Sequence, residues 1–164
     1  LATDLNLQVD WPARCAQGGT FAITAEAVRA NRPKPFYEKA LGAKSETMMS
    51  YDDMPASPAG ADGCGDGPRP TGTSIMHACL ALPGGAKLFA GDVPPGMPYD
   101  GVKGAMLALQ YDTVDQAHGA FHALSQGGQV TMPLAPAFWA KTFGMLTDRF
   151  GVCWGVNGES IAFG

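Results

Sequence analysis

Alternation of apolar and polar residues predicts that strands dominate this 164-residue chain. Residues 5–10 alternate with the two-residue period of a half-buried strand. Between turn-forming residues, further apolar segments have the length and composition of strands. These predicted strands are residues 46–51, 74–82, 86–90, 105–111, 129–132, 144–147 and 152–156.

Two segments have the residues of helices instead. The first covers residues 35–41 and ends at Gly42, a residue that favours helix termination. The second covers residues 114–126, with Thr113 as its N-cap and Gly127-Gly128 after it. The resulting order is β-α-β-β-β followed by β-α-β-β-β, which indicates an α+β fold made of two βαβββ modules.

Loop composition places the boundaries between these modules. Residues 52–72 are rich in Gly, Pro, Asp and Ala, which predicts a long exposed loop. A second Pro/Gly segment, 94–99, is predicted to connect the modules. We therefore divide the chain into an atypical N-terminal segment containing the first strand, the rest of the first module and the second module. Their bounds are residues 1–35, 36–98 and 99–164.

The identity of the first strand stays open. About 25 residues separate the 5–10 strand from the first helix, where a duplicated unit needs a short link. Residues 21–24 could be the true first strand, with 1–20 as an extension. Residues 25–31 could equally form an added helical turn.

Composition limits the classes of partner. The net charge is −4 and the basic residues are scattered, which argues against nucleic acid. No apolar run approaches the roughly 20 residues that cross a bilayer, and the first ten residues do not resemble a secretion signal. We expect a cytoplasmic protein that binds neither membrane nor nucleic acid.

The four cysteines predict no zinc site, because none forms a C-x-x-C pair and no histidine cluster accompanies them. Cys79 and Cys153 lie in strand-like apolar segments, where a small buried thiol is the usual role. Cys15 and Cys64 complete the set.

Several motifs together carry a family resemblance. The chain resembles the PhnB-like branch of the vicinal-oxygen-chelate (glyoxalase/bleomycin-resistance/dioxygenase) superfamily over roughly residues 36–158, and residues 1–35 depart from it. The matching segments are Phe36-Tyr37-x3-Leu41-Gly42-Ala43, Ile75-Met76-His77-Ala78, Gly96-Met97-Pro98-Tyr99, Met132-Pro133-Leu134, Phe138 to Gly144 and Asp148 to Trp154.

The resemblance implies a fold and a set of possible activities. Two βαβββ modules would curve their sheets around a cleft, usually in a homodimer. Many members hold a divalent metal there, on His, Gln and Glu side chains from the first and fourth strands of each module, and the metal acts as a Lewis acid. Other members sequester small molecules without chemistry, so the fold alone does not assign a reaction.

The metal positions implied by the resemblance are poorly supplied in this sequence. They fall near Met106 and Gly155 in the second module, and neither residue suits a hard or borderline cation. Residues 87–90 of the first module offer no carboxylate. Only Gln8, or Glu26 if the later strand is first, could contribute. We therefore predict no metal site and no cofactor, with a divalent metal possible but disfavoured.

Side-chain alternation indicates what would line the cleft instead. On strand 105–111, Met106, Ala108 and Gln110 face the cleft, whereas Leu107, Leu109 and Tyr111 pack on the helices. On strand 74–82 the cleft-facing set would be His77, Cys79 and Ala81. Such a surface is mostly apolar with few polar groups, as in small-ligand pockets.

A few side chains are candidates for ligand binding or chemistry. His77 is the candidate catalytic residue because its ordinary pKa of about 6.5 suits proton transfer; alternatively it is a hydrogen-bonded sheet histidine. Trp139 and Phe143 could form a wall of the cleft, or serve as packing or dimer contacts. His118 and His122 have a metal-compatible spacing but no evident third ligand. The predicted ligand-binding residues are Gln8, His77, Met106, Gln110, Trp139 and Phe143.

Two functions follow as hypotheses. The first is a metal-free protein that binds a small, partly apolar molecule in the cleft of a homodimer. The alternative is a metal-dependent lyase, isomerase or dioxygenase-like enzyme that uses His77 and Gln8. A purely structural dimer is a third possibility. No Gly-rich loop follows a strand in the manner that a nucleotide-like methyl donor requires.

Overall fold

Nine strands and two helices make up the part of the chain that the computed structural model describes: residues 2–8, 20–24, 33–53, 75–92, 102 and 104–161. The helices are α1 (Pro33–Leu41) and α2 (Val114–Leu124), and a short 3-10 helix spans Tyr51–Asp53. The strands are β1 (Ala2–Gln8), β2 (Thr20–Thr24), β3 (Lys44–Ser50), β4 (Ile75–Ala81), β5 (Lys87–Gly91), β6 (Met106–Tyr111), β7 (Gln129–Ala137), β8 (Ala140–Thr147) and β9 (Cys153–Ser160).

The strands form two sheets with the same internal order. The first sheet runs β2-β5-β4-β3, and the second runs β1-β6-β9-β8-β7. In each sheet the first and fourth strands of the module pair in parallel, as β2 with β5 and β6 with β9. The remaining neighbours are antiparallel. This shared topology confirms the α+β fold built from two βαβββ modules.

The N-terminal segment contains both strands that the sequence offered as alternatives. β2 occupies the first-strand position of the first module, which is the interpretation that placed the first strand at residues 21–24. β1 is an addition to the edge of the second sheet, where it pairs antiparallel with β6. The predicted loop at 52–72 beyond Asp53, the added helical turn at 25–31 and the connector at 94–99 lie outside the described residues.

Three strands of the second module are longer than the sequence predicts. β7 extends five residues beyond the predicted end at Met132, through Pro133 and Pro136. Proline donates no backbone hydrogen bond and is tolerated on an edge strand, and β7 lies at the edge of its sheet. β8 begins four residues earlier than predicted, because Phe138-Trp139 forms the turn of a β7–β8 hairpin. β9 likewise continues to Ser160.

The hydrophobic core lies between each sheet and its helix. Leu107, Leu109 and Tyr111 are buried on the helix-facing side of β6, as their alternation predicts. Trp154 and Val156 of β9 are fully buried in this core. One continuous core cluster includes Tyr37 of α1, Leu80 and Leu88 of the first sheet and the buried residues of α2 and the second sheet.

One buried carboxylate joins the two modules. Asp148, in the turn before β9, accepts hydrogen bonds from the Tyr37 hydroxyl at 2.8 Å and the Trp154 indole N–H at 2.9 Å. It also accepts from the backbone N–H groups of Phe150 and Val152. The Asp148 side chain therefore stabilises the turn before β9 and also ties α1 to β9.

The termini of α2 follow the predicted signals. The Thr113 hydroxyl accepts from the backbone N–H of Gln116, and Gly127 has a positive φ of 75° beyond the helix end. The helix ends at Leu124, two residues before the predicted end. The Arg149 guanidinium donates twice to the carbonyl of Gln126, which satisfies an acceptor at this helix end.

Neither of the described helices has the length and hydropathy needed to cross a membrane.

Candidate functional site

On the face of the second sheet that points away from α2, two rows of residues are in register across β6, β9 and β8. Gln110 of β6 pairs with Asn157 of β9, which pairs with Phe143 of β8. The next row is Ala108, Gly155 and Met145. Paired residues on neighbouring strands share a face of the sheet. We call the surface formed by Met106, Gln110, Trp139, Phe143, Gly155 and Asn157 the platform.

Met106 and Gly155 are in contact at the centre of the platform. A Cβ atom added to Gly155 would lie 3.2 Å from both Cε and Sδ of Met106 and 3.4 Å from Cε2 of Phe143. The thioether therefore covers the bare backbone of β9. These are the two positions of the second module where the family resemblance places metal ligands. In this chain the first is a methionine and the second is a glycine, which has no side chain.

An aromatic pair flanks this centre. The rings of Trp139 and Phe143 meet edge to face with centroids 5.2 Å apart. The Trp139 indole N–H donates to Oδ1 of Asn157 at 2.9 Å, which fixes the indole against β9. Trp139 is still 36% exposed, and its neighbour Phe138 is 76% exposed. The platform thus offers ring faces and edges to a molecule that contacts it.

Charged groups at the end of the platform are already paired. The Lys141 ammonium forms an ion pair with the Glu159 carboxylate. Glu159 adopts a positive φ of 56°, a conformation that costs about 1 kcal/mol or more for a residue with a Cβ. Each of these charges therefore has a partner of opposite sign, so neither is an unpaired charge that would select an ionic ligand.

The corresponding face of the first sheet carries different chemistry. The Glu46 carboxylate accepts from the Lys87 ammonium at 2.7 Å and lies 3.4 Å from the Cys79 thiol. His77 packs its ring against Phe89 with centroids 5.0 Å apart. We call Glu46, His77, Cys79, Lys87 and Phe89 the first-sheet cluster.

The titration of this cluster follows from its contacts. Hydrogen bonds from Lys87 and Cys79 lower the pKa of Glu46. Burial, with the Glu46 carboxylate adding to it, raises the pKa of the Cys79 thiol. Cys79 is therefore held in the protonated form, which is a poor nucleophile.

In the second sheet, burial raises the pKa of Tyr111 in β6 to about 12, so this phenol stays neutral near pH 7.

The structure brings together most of the residues predicted to bind a ligand. Met106, Gln110, Trp139 and Phe143 lie on the platform, and the backbone of Gln8 in β1 pairs in register with Met106. His77 lies in the other sheet, and no ring contact or hydrogen bond of the described residues joins it to the platform. Asn157 is the residue that sequence reasoning missed. Its alternation with Gly155 on β9 would have placed it on this face.

The described residues do not form the donor set of a divalent metal site. They contain no group of three His, Cys, Asp or Glu side chains placed to hold an ion. The thioether of Met106 is too soft a ligand for a hard or borderline cation, and Gly155 has no side chain to contribute. His118 and His122 are exposed on α2, where His122 contacts the Gln126 amide.

Comparison with known proteins identifies similar sequences. Residues 29–156 match the model of the Glyoxalase/Bleomycin resistance protein/Dioxygenase superfamily. Protein YjdN of Escherichia coli K12 is 31% identical over 123 residues, which are 74% of this chain and 82% of that protein.

Solved structures of the same fold include two with informative similarity. Protein PA1353 from Pseudomonas aeruginosa superposes with a TM-score of 0.65 and 38% identity, covering 84% of this chain and 92% of that one. A PhnB protein from Bacillus cereus, described as a putative 3-demethylubiquinone-9 3-methyltransferase, has a TM-score of 0.56 and 21% identity, covering 87% and 98%. These matches confirm the resemblance seen in the sequence motifs.

Proposed function

Because the chain belongs to the glyoxalase/bleomycin resistance protein/dioxygenase superfamily, we propose that it is a metal-free member that binds a small, partly apolar molecule on the platform. The contact between Met106 and Gly155 carries this proposal. A flexible thioether that covers bare backbone is suited to pack against an apolar surface, because methionine adapts its shape at low cost.

The aromatic pair supports the same function. Trp139 and Phe143 offer large apolar area with few rotatable bonds, so little conformational entropy is lost when they hold a ligand. The hydrogen bond from Trp139 to Asn157 preorganises the indole before a ligand arrives. A mostly apolar surface with a few fixed polar groups is the usual composition of small-molecule sites.

The proposal includes a homodimer and a cytoplasmic location. The edge strand β7 exposes Val130 and Met132, and the adjoining hairpin exposes Phe138. Exposed apolar residues on an unpaired strand edge favour contact with another protein surface.

The net charge of −4 and the scattered basic residues support a protein that binds no nucleic acid.

Calorimetric titration of the untagged protein with quinoline, a planar apolar probe, tests the binding function. Gly155→Leu places a bulky side chain where Met106 now lies, and we expect it to weaken quinoline binding at least tenfold. Gly119→Leu on α2 is the matched control, because a Cβ there meets nothing within 4 Å. Equal binding by wild type and both variants, or no binding by wild type, contradicts the proposal.

Elemental analysis of the same untagged preparation tests the metal-free state. We expect less than stoichiometric divalent metal and no shift of the melting temperature on metal addition. Stoichiometric metal that raises the melting temperature would contradict this proposal and favour the metal-dependent lyase, isomerase or dioxygenase-like alternative.

A further inference from the structure

Two amide side chains on the platform have orientations fixed by partners that act in one direction only. The indole N–H of Trp139 can only donate, so the atom of Asn157 that it contacts is Oδ1. The backbone carbonyl of Tyr111 can only accept, so Gln110 turns Nε2 towards it at 3.2 Å. Each amide therefore has one end engaged and the other end directed elsewhere.

The ends that remain are complementary. Within the described part of the chain, no hydrogen bond engages Nδ2 of Asn157, a donor, or Oε1 of Gln110, an acceptor. Gln110 and Asn157 are register partners on adjacent parallel strands, and such strands lie about 4.8 Å apart. The platform thus presents a donor beside an acceptor, next to the Phe143 ring, which is in register with Asn157.

We propose that the platform selects a planar, neutral ligand with an amide-like edge, in which an N–H donor adjoins a carbonyl acceptor, as in a lactam or carboxamide. This inference rests on the proposed binding function and specifies its ligand class. The ligand carbonyl accepts from Nδ2 of Asn157, and the ligand N–H donates to Oε1 of Gln110. The ring system packs against Trp139 and Phe143.

The charge distribution selects against ionic ligands. Lys141 and Glu159 neutralise each other at the end of the platform. A carboxylate ligand would place its oxygens against Oε1 of Gln110, and an ammonium ligand would place its protons against Nδ2 of Asn157. In each case one amide end would be left without a partner, which costs about 1–3 kcal/mol for a buried group and less where water reaches it.

The test compares two probes that differ in one hydrogen-bond donor. Quinolin-2(1H)-one carries the lactam edge, and N-methylquinolin-2-one lacks its N–H. By calorimetric titration we expect wild type to bind the lactam about tenfold more tightly than the N-methyl compound, the effect of one hydrogen bond with about 1.4 kcal/mol. Quinoline-2-carboxylate should bind more weakly than the lactam.

Two variants locate this discrimination. Asn157→Asp keeps an oxygen for the Trp139 indole but removes the donor, and we expect it to weaken lactam binding about tenfold. Gln110→Met removes the acceptor with similar side-chain length, and we expect it to abolish the preference for the lactam over the N-methyl compound. Thermal melts of both variants establish that they are folded.

The outcomes separate this inference from the proposed function. Equal affinity of wild type for the two quinolinones, with both still weakened by Gly155→Leu, overturns the ligand class and leaves the binding function standing. Tighter binding of the carboxylate than of the lactam also overturns it. Failure of wild type to bind quinoline or either quinolinone overturns the proposed function and this inference with it.

Discussion

The two sheets have the same strand order, but the faces that they turn away from their helices differ in chemistry. The first-sheet cluster holds an acid, a base, a thiol and an imidazole, and its charged members bond to each other. The platform of the second sheet holds two aromatic rings, a methionine and two amides. Duplicated topology therefore supports two unlike surfaces.

The difference between the two faces shows that the presence of reactive residue types is not sufficient to identify a reactive site. Cys79 is the most nucleophilic residue type in the first-sheet cluster, yet burial and the Glu46 carboxylate keep its thiol protonated. The six platform residues include no thiol, but they provide exposed aromatic surface and two amide ends with defined orientation. We therefore propose that ligands bind to the platform and that Glu46, Cys79 and Lys87 have a structural role.

The largest expected effect is a loss of folding stability, and it comes from Asp148, the buried carboxylate that joins the two modules. Asp148→Ala leaves the Tyr37 hydroxyl, the Trp154 indole and two backbone N–H groups without their acceptor. We expect a loss of about 3–5 kcal/mol in the free energy of unfolding, measured by urea titration. Tyr37→Phe removes one of these bonds and should cost about 1–2 kcal/mol. Equal stabilities of Asp148→Ala and wild type would contradict this role.

A matched pair of substitutions compares the two faces directly. Phe143→Leu on the platform removes the ring that meets Trp139, and we expect it to weaken quinoline binding about tenfold. Phe89→Leu makes the same change beside His77 and should leave quinoline affinity unchanged. Calorimetric titration of both variants measures the difference. If Phe89→Leu has the larger effect, the ligand contacts the first sheet.

Thiol labelling provides a smaller contrast between the faces. Cys79 is only 5% exposed and its thiol has a raised pKa, whereas Cys153 on β9 is half-buried. We expect iodoacetamide at pH 8 to modify Cys153 before Cys79 in the native protein, as measured by mass spectrometry of the two peptides. Faster labelling of Cys79 would indicate an accessible thiolate in the first-sheet cluster.

The smallest expected effect is the pH dependence of the Glu46–Lys87 ion pair. Partners on the same face lower the pKa of Glu46 from 4.5 and raise that of Lys87 from 10.5. The stability from Glu46 is thus complete above its ordinary pKa and is lost as pH falls through the lowered value. The stability from Lys87 is complete below its ordinary pKa and is lost as pH rises through the raised value.

Thermal melts of wild type and Glu46→Gln across this range measure the ion pair. Because both side chains are exposed, we expect only a small difference in melting temperature, which is complete near pH 7 and decreases as the pH falls below 4.5. A difference that does not decrease at acidic pH would show that the Glu46 side chain stabilises the protein by packing. Lys141→Met on the platform side is a control that leaves this pair intact.

Much of the fold could be predicted from local sequence signals. Thr113 and Gly127 mark the ends of α2 closely, because capping is a property of a few neighbouring residues. The alternation of Leu107, Leu109 and Tyr111 predicted which face of β6 is buried. Most of the order of elements was predicted for the same reason, since several connections carry Gly or Pro, such as Gly42 after α1, Pro83-Gly84-Gly85 between β4 and β5 and Gly127-Gly128 after α2.

Features that depend on distant partners could not be predicted in this way. The sequence shows that residues 5–8 favour a strand, but not that β1 joins the second sheet and β2 the first. The candidate site also depends on distant partners. Trp139 and Asn157 are 18 residues apart in the sequence, and the β8–β9 pairing brings them together. His77 was chosen for its residue type, and its ring contact with Phe89 depends on the β4–β5 pairing.

The most direct test of the account is a two-dimensional NMR titration of the wild-type protein with quinoline. If the ligand binds the platform, the indole N–H of Trp139, the amide of Gly155 and the methyl group of Met106 should shift, and the signals of His77 and Phe89 should not. Shifts centred on His77 and Phe89 with an unperturbed platform would contradict the assignment of binding to the second sheet.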